Sequence, residues 1–234
     1  MLILSTNIII PILVGAFLNL DKQVCGPFMI GRPLMVGFTL GLLTGEPQFG
    51  TWMGLSAELL WLAAMPLGGQ LTPNAGLAVS AALTAWVGSG FGPAVGTYQI
   101  EAGLVLSFFT IPIWAMLFTF LDEAERDLVE PHLLKVKTDL EAGRDPRFFR
   151  RNLYGLVVTF GLSLAALVGA VIVNILFLRA AIRLAPDELL LNLRFLFTFI
   201  PFLGLLGMAV SLEKRSFNYF LGGLLASLLT LSAG

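Results

Sequence analysis

Residues 52–74 contain the side chains from which a polyol-binding site could be built. They are Glu58, Gln70, Asn74, Trp52 and Trp61. Carboxylates and amides can bridge adjacent hydroxyl groups through paired hydrogen bonds, and flat indole faces can cover the C–H face of a sugar ring. These side chains therefore predict a substrate-binding site for a sugar or similar polyol, while amino acids and ions remain open as ligands.

Glu58 is the strongest of these candidates because it interrupts an apolar stretch, residues 52–65. An ionised side chain at the centre of a membrane helix costs roughly 2.5–3.5 kcal/mol, so such groups face a cavity or a partner. The alternative role for Glu58 is a buried acid paired with Arg32 for packing. Arg32 could itself face a partner or a substrate passage, or extend to the membrane interface. The tryptophans could equally serve interfacial anchoring or helix packing.

The composition predicts that the bilayer is the solvent of this chain. Hydrophobic residues make up 57% of the sequence and charged residues 12%, about half of the roughly 25% charged residues of a soluble domain. The mean hydropathy is +0.88. We therefore predict an all-α polytopic integral membrane protein. The net charge of −1 comes with no basic face, which argues against a nucleic-acid partner, and the single cysteine, Cys25, cannot form an internal disulfide.

Two of the apolar runs, 33–43 and 52–67, are too short for the about 20 residues of a full span. Glycines and prolines are dense around both runs, which predicts broken or re-entrant helices among full transmembrane helices. Irregular backbone at membrane depth is tolerated only where protein buries it or where it lines a cavity. The interrupted segment therefore predicts a transport pathway, and the alternative is that its glycines simply let helices pack closely.

The composition changes abruptly at residues 122–151, which contain seven of the fourteen Lys and Arg residues. This divides the chain into an N-terminal membrane region, 1–121, with the recognition segment 32–80, a charged loop, 122–151, and C-terminal transmembrane helices, 152–234. Basic residues directly before the next span predict that the loop is cytoplasmic. Pro131 and Gly143 suit the two ends of a short amphipathic helix. That helix could dock a cytosolic partner or serve as a solvated connector.

The sequence offers little catalytic chemistry of its own. It has no His/Cys ligand cluster, no Gly-rich phosphate loop and no Ser-His-Asp set, and His132 and Cys25 are far from Glu58 in sequence. A chain that relayed a phosphoryl group would need a nucleophile beside the substrate. We therefore predict no catalytic residue, no metal site and no cofactor on this chain.

A more specific pattern runs from residue 32 to residue 80. It consists of Arg32-Pro33-Leu34, glycines at 41, 45, 50 and 54, Glu58, Gly68, Pro73 and Ala75. In this pattern the chain resembles the IIC subunits of the mannose/fructose/sorbose family of the bacterial phosphotransferase system. The resemblance extends weakly to the acidic residues that follow Leu121.

The resemblance implies an elevator-type permease in the bacterial cytoplasmic membrane. Such a subunit binds a hexose together with a IID membrane subunit, in a homo- or hetero-oligomer, and a soluble IIB protein phosphorylates the sugar with phosphate received from IIA. Glu58 would then be a sugar-contacting or gating residue. The chain departs from the mannose-type pattern, which has Asn at Pro66 and Asp at Asn74, and Gln70 would compensate for these changes.

Two other functions remain open from the sequence. The changes at Pro66 and Asn74 suggest a transport-deficient assembly or regulatory subunit, which would lack neighbouring genes for IIA, IIB and IID. A self-contained ion-coupled transporter would use Glu58 as its proton or cation site. It would work without phosphoenolpyruvate and would stop when an uncoupler is added.

Overall fold

The structure, a computed structural model, describes residues 6–22, 28–61, 72–90 and 97–212 of the 234 residues. Within these ranges the regular secondary structure is entirely helical, as the sequence predicted. The helices are α1 (Thr6–Asn19), α2 (Pro33–Thr44), α3 (Pro47–Trp61), α4 (Ala75–Gly88), α5 (Thr97–Glu141), α6 (Phe148–Leu184) and α7 (Asp187–Leu212), with a short 3-10 turn, Leu20–Lys22, after α1.

Helix α4 forms the centre of the molecule. It consists mainly of alanine, glycine and other small or aliphatic residues, and every residue except Val87 is buried. Helices α1, α2, α3, α5 and α6 all pack against it. The approach of α1 is close, because a Cβ atom at Gly15 would lie 2.8 Å from the Ser80 hydroxyl oxygen. A core helix of this composition lets its neighbours approach closely, which is how helices associate in membranes.

Helices α5 and α6 form a long antiparallel pair. They contain 45 and 37 residues, which correspond to about 67 Å and 55 Å at 1.5 Å per residue. Both are long and apolar enough to cross a bilayer, whose hydrocarbon core is about 30 Å thick. The remaining length must extend beyond that core.

The charged segment 122–151 differs from the predicted loop. Helix α5 continues through Leu121 as far as Glu141, with Pro131 inside it, and α6 begins at Phe148. Gly143, at φ +66°, lies in the short connection between them. Arg151 holds this end together through an ion pair of 2.6 Å with Asp139. The charged residues therefore form most of a helical hairpin, and the three-part division of the chain stays a prediction.

Helices α2 and α3 form a second, shorter hairpin closed by glycines. Gly45 ends α2 in the left-handed conformation, with φ +80°. A Cβ atom at Gly37 would lie 2.8 Å from the Gly54 Cα, and a Cβ atom at Gly50 would lie 2.7 Å from the Gly41 Cα. These four glycines therefore allow backbone-to-backbone contact, as the packing alternative predicted. Helix α2 has 12 residues, about 18 Å, so it could not cross the hydrocarbon core. The described part of α3 has 15 residues.

Gly50→Ala should disrupt this hairpin. The added methyl group would meet backbone atoms of α2, which cannot move aside as a side chain can, so we expect a loss of about 1–3 kcal/mol in the free energy of unfolding. Gly161→Ala in α6 is the matched control, because a Cβ atom there meets nothing within 4 Å. Alanine is favoured over glycine in a helix, so the control should gain about 0.5–1 kcal/mol. Denaturant unfolding of both variants in detergent measures the difference, and equal stabilities would contradict the packing role.

Candidate functional site

The α2–α3 hairpin brings Arg32 and Glu58 together at its open end. Arg32 directly precedes α2, and Glu58 lies three residues before Trp61, the last described residue of α3. Arg32 Nη1 donates a hydrogen bond of 2.8 Å to Glu58 Oε1, and the Leu34 N–H donates one of 3.4 Å to Glu58 Oε2. An N–H in the first turn of a helix has no acceptor within its own helix. Glu58 therefore both pairs with a cation and stabilises the start of α2.

This ion pair lies at an edge of the protein where a ligand can reach it. The Glu58 side chain is 15% exposed and the Arg32 side chain 52% exposed. The carboxylate is largely buried and the guanidinium half-exposed, so the cost of removing the charges from water offsets much of their attraction. Stability alone is therefore a weak reason for an acid here. Arg32 retains further N–H donors for the oxygen atoms of a ligand.

The two tryptophans lie on opposite sides of α3. Nine residues at about 100° each place them half a turn apart. Trp52 stacks on Phe197 of α7, with ring centroids 4.1 Å apart, and contacts Phe108 of α5 edge-on. Trp61 is half-buried against the apolar core, one turn from Glu58. Trp61 therefore shares a side of α3 with Glu58, whereas Trp52 packs between helices.

Asn74 is engaged in structural contacts. Its Oδ1 accepts a hydrogen bond of 3.2 Å from the Leu77 N–H and so caps α4. Its Nδ2 donates to Asn19 Oδ1 at 3.1 Å and to the Asp122 carboxylate at 3.0 Å. The residue is only 3% exposed. Its amide hydrogens and its oxygen thus all have partners within the protein, and Asn74 does not lie beside Glu58 in any contact that the structure describes.

The contacts of Asn74 extend into a buried polar cluster, which we define as Asn19, Asn74, Asp122 and Ser163. Asn19 Nδ2 donates a hydrogen bond of 2.8 Å to the Ser163 hydroxyl, and the Asp122 side chain is 0% exposed. One turn further along α5, the buried Glu125 accepts a hydrogen bond from Thr159 of α6.

Asp122 is not among the site residues that the sequence predicted, because the charged segment that contains it was expected to be a loop. A pattern that could have indicated its burial is the matching helical spacing of the polar residues. Asp122 and Glu125 are three residues apart in α5, and Thr159 and Ser163 are four residues apart in α6, so each pair lies on one helix face.

Gln70 and Pro66 lie outside the described residues, as does Cys25. Compensation by Gln70 therefore stays a prediction. His132 lies in the α5–α6 hairpin, where the centroid of its ring is 3.9 Å from the centroid of the Tyr154 ring. Among the described residues, no group of three or more His, Cys, Asp or Glu side chains could hold a metal ion.

The family model EII-Sor, described as "PTS system sorbose-specific iic component", matches residues 5–232. The chain belongs to this family. It is therefore a membrane permease subunit of a sugar phosphotransferase system, and the resemblance that rested on Arg32-Pro33-Leu34, the glycines and Glu58 is confirmed.

A structural comparison agrees with a membrane fold. A solved chain described as "Structure of membrane protein" is similar over 98% of this chain and 92% of that chain, with a TM-score of 0.63 and 20% sequence identity. At this identity the likeness concerns the fold alone. No curated protein sequence matches the chain significantly.

Proposed function

We propose that this IIC subunit binds and translocates a hexose of the mannose/fructose/sorbose class together with a IID subunit. A soluble IIB protein then transfers to a sugar hydroxyl the phosphoryl group that it received from IIA. The observation that carries the site is the partly exposed Arg32–Glu58 pair, at the open end of the α2–α3 hairpin, whose helix α2 is too short to cross the bilayer.

In this proposal the open end of the α2–α3 hairpin receives the sugar. Arg32 donates to sugar oxygens, Glu58 accepts from sugar hydroxyls, and Trp61 lies on the same side of α3 to cover the ring. Trp52 would reach a sugar only by leaving Phe197, so we assign it to packing between α3 and α7. Asn74 supports the site indirectly, since it fixes the start of α4.

The α2–α3 hairpin is also the element that we assign to the elevator movement. Its two helices touch through the backbone at Gly37, Gly41, Gly50 and Gly54, so they should move as one body. Aromatic side chains mediate its contact with α7, among them Phe49 and Trp52 against Phe197. Side-chain contacts of this kind can slide and repack, whereas the interlocked glycines cannot.

We place the α5–α6 connection in the bacterial cytoplasm. Arg147, Arg150 and Arg151 lie at the start of α6, directly before its apolar span, and basic residues at such positions stay on the cytoplasmic side. With this orientation the hairpin formed by the ends of α5 and α6 projects towards the soluble phosphocarriers.

A transport-deficient assembly subunit is the second candidate function. The specific observation in its favour is that Asn74, the position at which the mannose-type pattern has an acid, uses its hydrogen-bonding groups within the protein. This candidate shares the membrane fold with the first and differs from it in having no uptake.

The test is uptake of a labelled hexose panel into vesicles that contain this chain, IID, IIA and IIB and are loaded with the soluble proteins that pass phosphate from phosphoenolpyruvate to IIA. We expect a sugar phosphate to accumulate only when phosphoenolpyruvate and all four proteins are present, and we expect an uncoupler to have little effect. Absence of uptake for every hexose, despite a stable complex with IID, would favour the assembly subunit. Uptake without phosphoenolpyruvate that stops with an uncoupler would indicate an ion-coupled transporter.

A further inference from the structure

The outer surfaces of α5 and α6 change from apolar to charged at different levels. The pairing of Glu125 with Thr159 and of His132 with Tyr154 fixes the register of the two antiparallel helices. On α5, exposed charged residues begin at Glu123 and from there alternate with exposed leucines. On α6, between the level of Glu123 and Phe149, most exposed residues are apolar, and Arg150 and Asn152 are the polar exceptions.

This exposed apolar face of α6 is longer than a bilayer requires. From Phe177 to Phe149 it covers about 42 Å at 1.5 Å per residue, whereas the hydrocarbon core is about 30 Å thick. Lipid cannot cover the Phe149 end without also taking in the exposed Glu123 and Asp127 of α5, which is costly for each charge. The last part of the apolar face, at residues 149–157, therefore lies outside the hydrocarbon.

A groove opens between the two helices at this end, and we call it the hairpin groove. Its volume is about 450 Å³, and its lining includes Val129, Leu133, Val136, Phe148, Phe149 and Arg151. Phe149 is 83% exposed. Arg151 is held on one side by Asp139, while its Nη1 is buried and has no hydrogen-bond partner among the described residues. The groove thus combines apolar walls with the Arg151 guanidinium, which is held in place by Asp139 and has an unused N–H donor.

The surroundings of the hairpin groove are basic. Residues 129–155, the range that holds the whole lining, contain six Lys and Arg and four Asp and Glu, a net charge of +2 with His132 neutral. A second copy of the chain would bring the same positive charge against it, which opposes association. A partner with an acidic surface would be attracted to this positive charge and could dock in the groove.

We propose that the hairpin groove is the docking site for the soluble IIB phosphocarrier, which would insert an apolar side chain rimmed by Asp and Glu residues. This inference rests on the proposed function, because it assumes a phosphotransferase permease whose α5–α6 connection is cytoplasmic. It adds the surface at which the phosphoryl donor is received.

The experiment uses the full chain with IID in nanodiscs of zwitterionic lipid and measures the Kd of purified IIB from the same system. Phe149→Ser should weaken IIB binding about tenfold or more, because buried aromatic residues at the centre of an interface dominate affinity. The matched control is Leu184→Ser, at the other end of α6 and 85% exposed, which should change the Kd less than about twofold since it lies outside the docking surface.

A charge reversal tests the electrostatic part. Arg150→Glu should slow IIB association and flatten its dependence on salt, because rim charges act mainly on the association rate. The matched control is Arg183→Glu in the last turn of α6, which should leave the association rate unchanged.

Several outcomes would overturn the proposal. These are an unchanged Kd for Phe149→Ser, a change of oligomeric state or loss of IID in that variant, and quenching of Phe149→Trp fluorescence by brominated lipid. The first removes the groove from the interface, the second assigns it to another copy or to IID, and the third to lipid. Binding of labelled sugar is measured in the same nanodiscs. If the wild type binds sugar but does not bind IIB, the docking site alone is refuted. If the wild type does not bind sugar, the proposed function is refuted.

Discussion

Glu58→Gln should lower phosphoenolpyruvate-dependent uptake of the sugar about ten- to hundredfold. The substitution removes the negative charge that pairs with Arg32 at 2.8 Å but keeps the length of the side chain and an oxygen for the Leu34 N–H. Hydrogen bonds to a charged group contribute about 1.5–3 kcal/mol, so their loss at the sugar accounts for an effect of this size. Initial uptake rates in vesicles, with the amount of inserted protein determined in parallel, measure it.

Two further variants separate a substrate contact from a packing role. Glu46→Gln changes the same residue type at the closed end of the same hairpin, so its uptake should equal that of the wild type. The double variant Arg32→Met, Glu58→Met removes both charges together and leaves no unpaired ion, so the protein should insert and remain folded but transport nothing. Wild-type uptake in Glu58→Gln, or in the double variant, would show that the ion pair serves packing only.

The importance of Glu58 could be predicted from the sequence because its evidence is local. An acid in an apolar stretch and glycines four or five residues apart are both visible within a short window. The prediction of Arg32 as the partner of Glu58 needed only a hairpin between them. The side of α3 on which each tryptophan lies could also have been read from helical periodicity, since Trp52 and Trp61 are nine residues apart. The ring contacts of Trp52 could not be predicted in this way, because Phe197 and Phe108 belong to helices that are distant in sequence.

The extent of α5 could not be predicted from composition. A change from apolar to charged residues at Leu121 predicts the end of a membrane helix, but it marks only a change of surroundings. Glu, Ala, Leu, Lys and Arg, which dominate residues 122–142, are all strong helix formers. The helix therefore continues out of the membrane region, and the charged segment becomes a rigid projection instead of a loop.

The buried polar cluster depends on long-range contacts. Asn74 and Asp122 are 48 residues apart in sequence, and Asn74 and Asn19 are 55 apart. Their meeting requires the register of α1, α4 and α5, which no local pattern specifies. The same contacts disfavour a second acid at position 74 of this chain. Asp122 already supplies a carboxylate at that place, and a second one would face it directly.

Asn74→Asp should therefore destabilise the protein severely. The substitution replaces a donor to Asp122 by a carboxylate at hydrogen-bonding distance, inside a region where Asn74 and Asp122 are almost completely buried. An uncompensated buried charge costs about 3–5 kcal/mol, so we expect a large drop in the unfolding temperature in detergent. Asn152→Asp, at an exposed position near the start of α6, is the control and should change the unfolding temperature little.

Exchange of the two side chains should restore much of this stability. In the double variant Asn74→Asp, Asp122→Asn, one carboxylate and one amide again face each other, and the carboxylate introduced into the loop before α4 can still accept from the Leu77 N–H and cap the helix. The hydrogen bond to Asn19 Oδ1 is lost, so recovery should be about half or more of the single-variant loss, since one hydrogen bond contributes only about 0.5–1.5 kcal/mol. A double variant less stable than Asn74→Asp alone would mean that the two side chains are not paired. Recovery would instead establish that position 74 in this protein serves the junction of α1, α4, α5 and α6, which agrees with a sugar site elsewhere, at the open end of the α2–α3 hairpin.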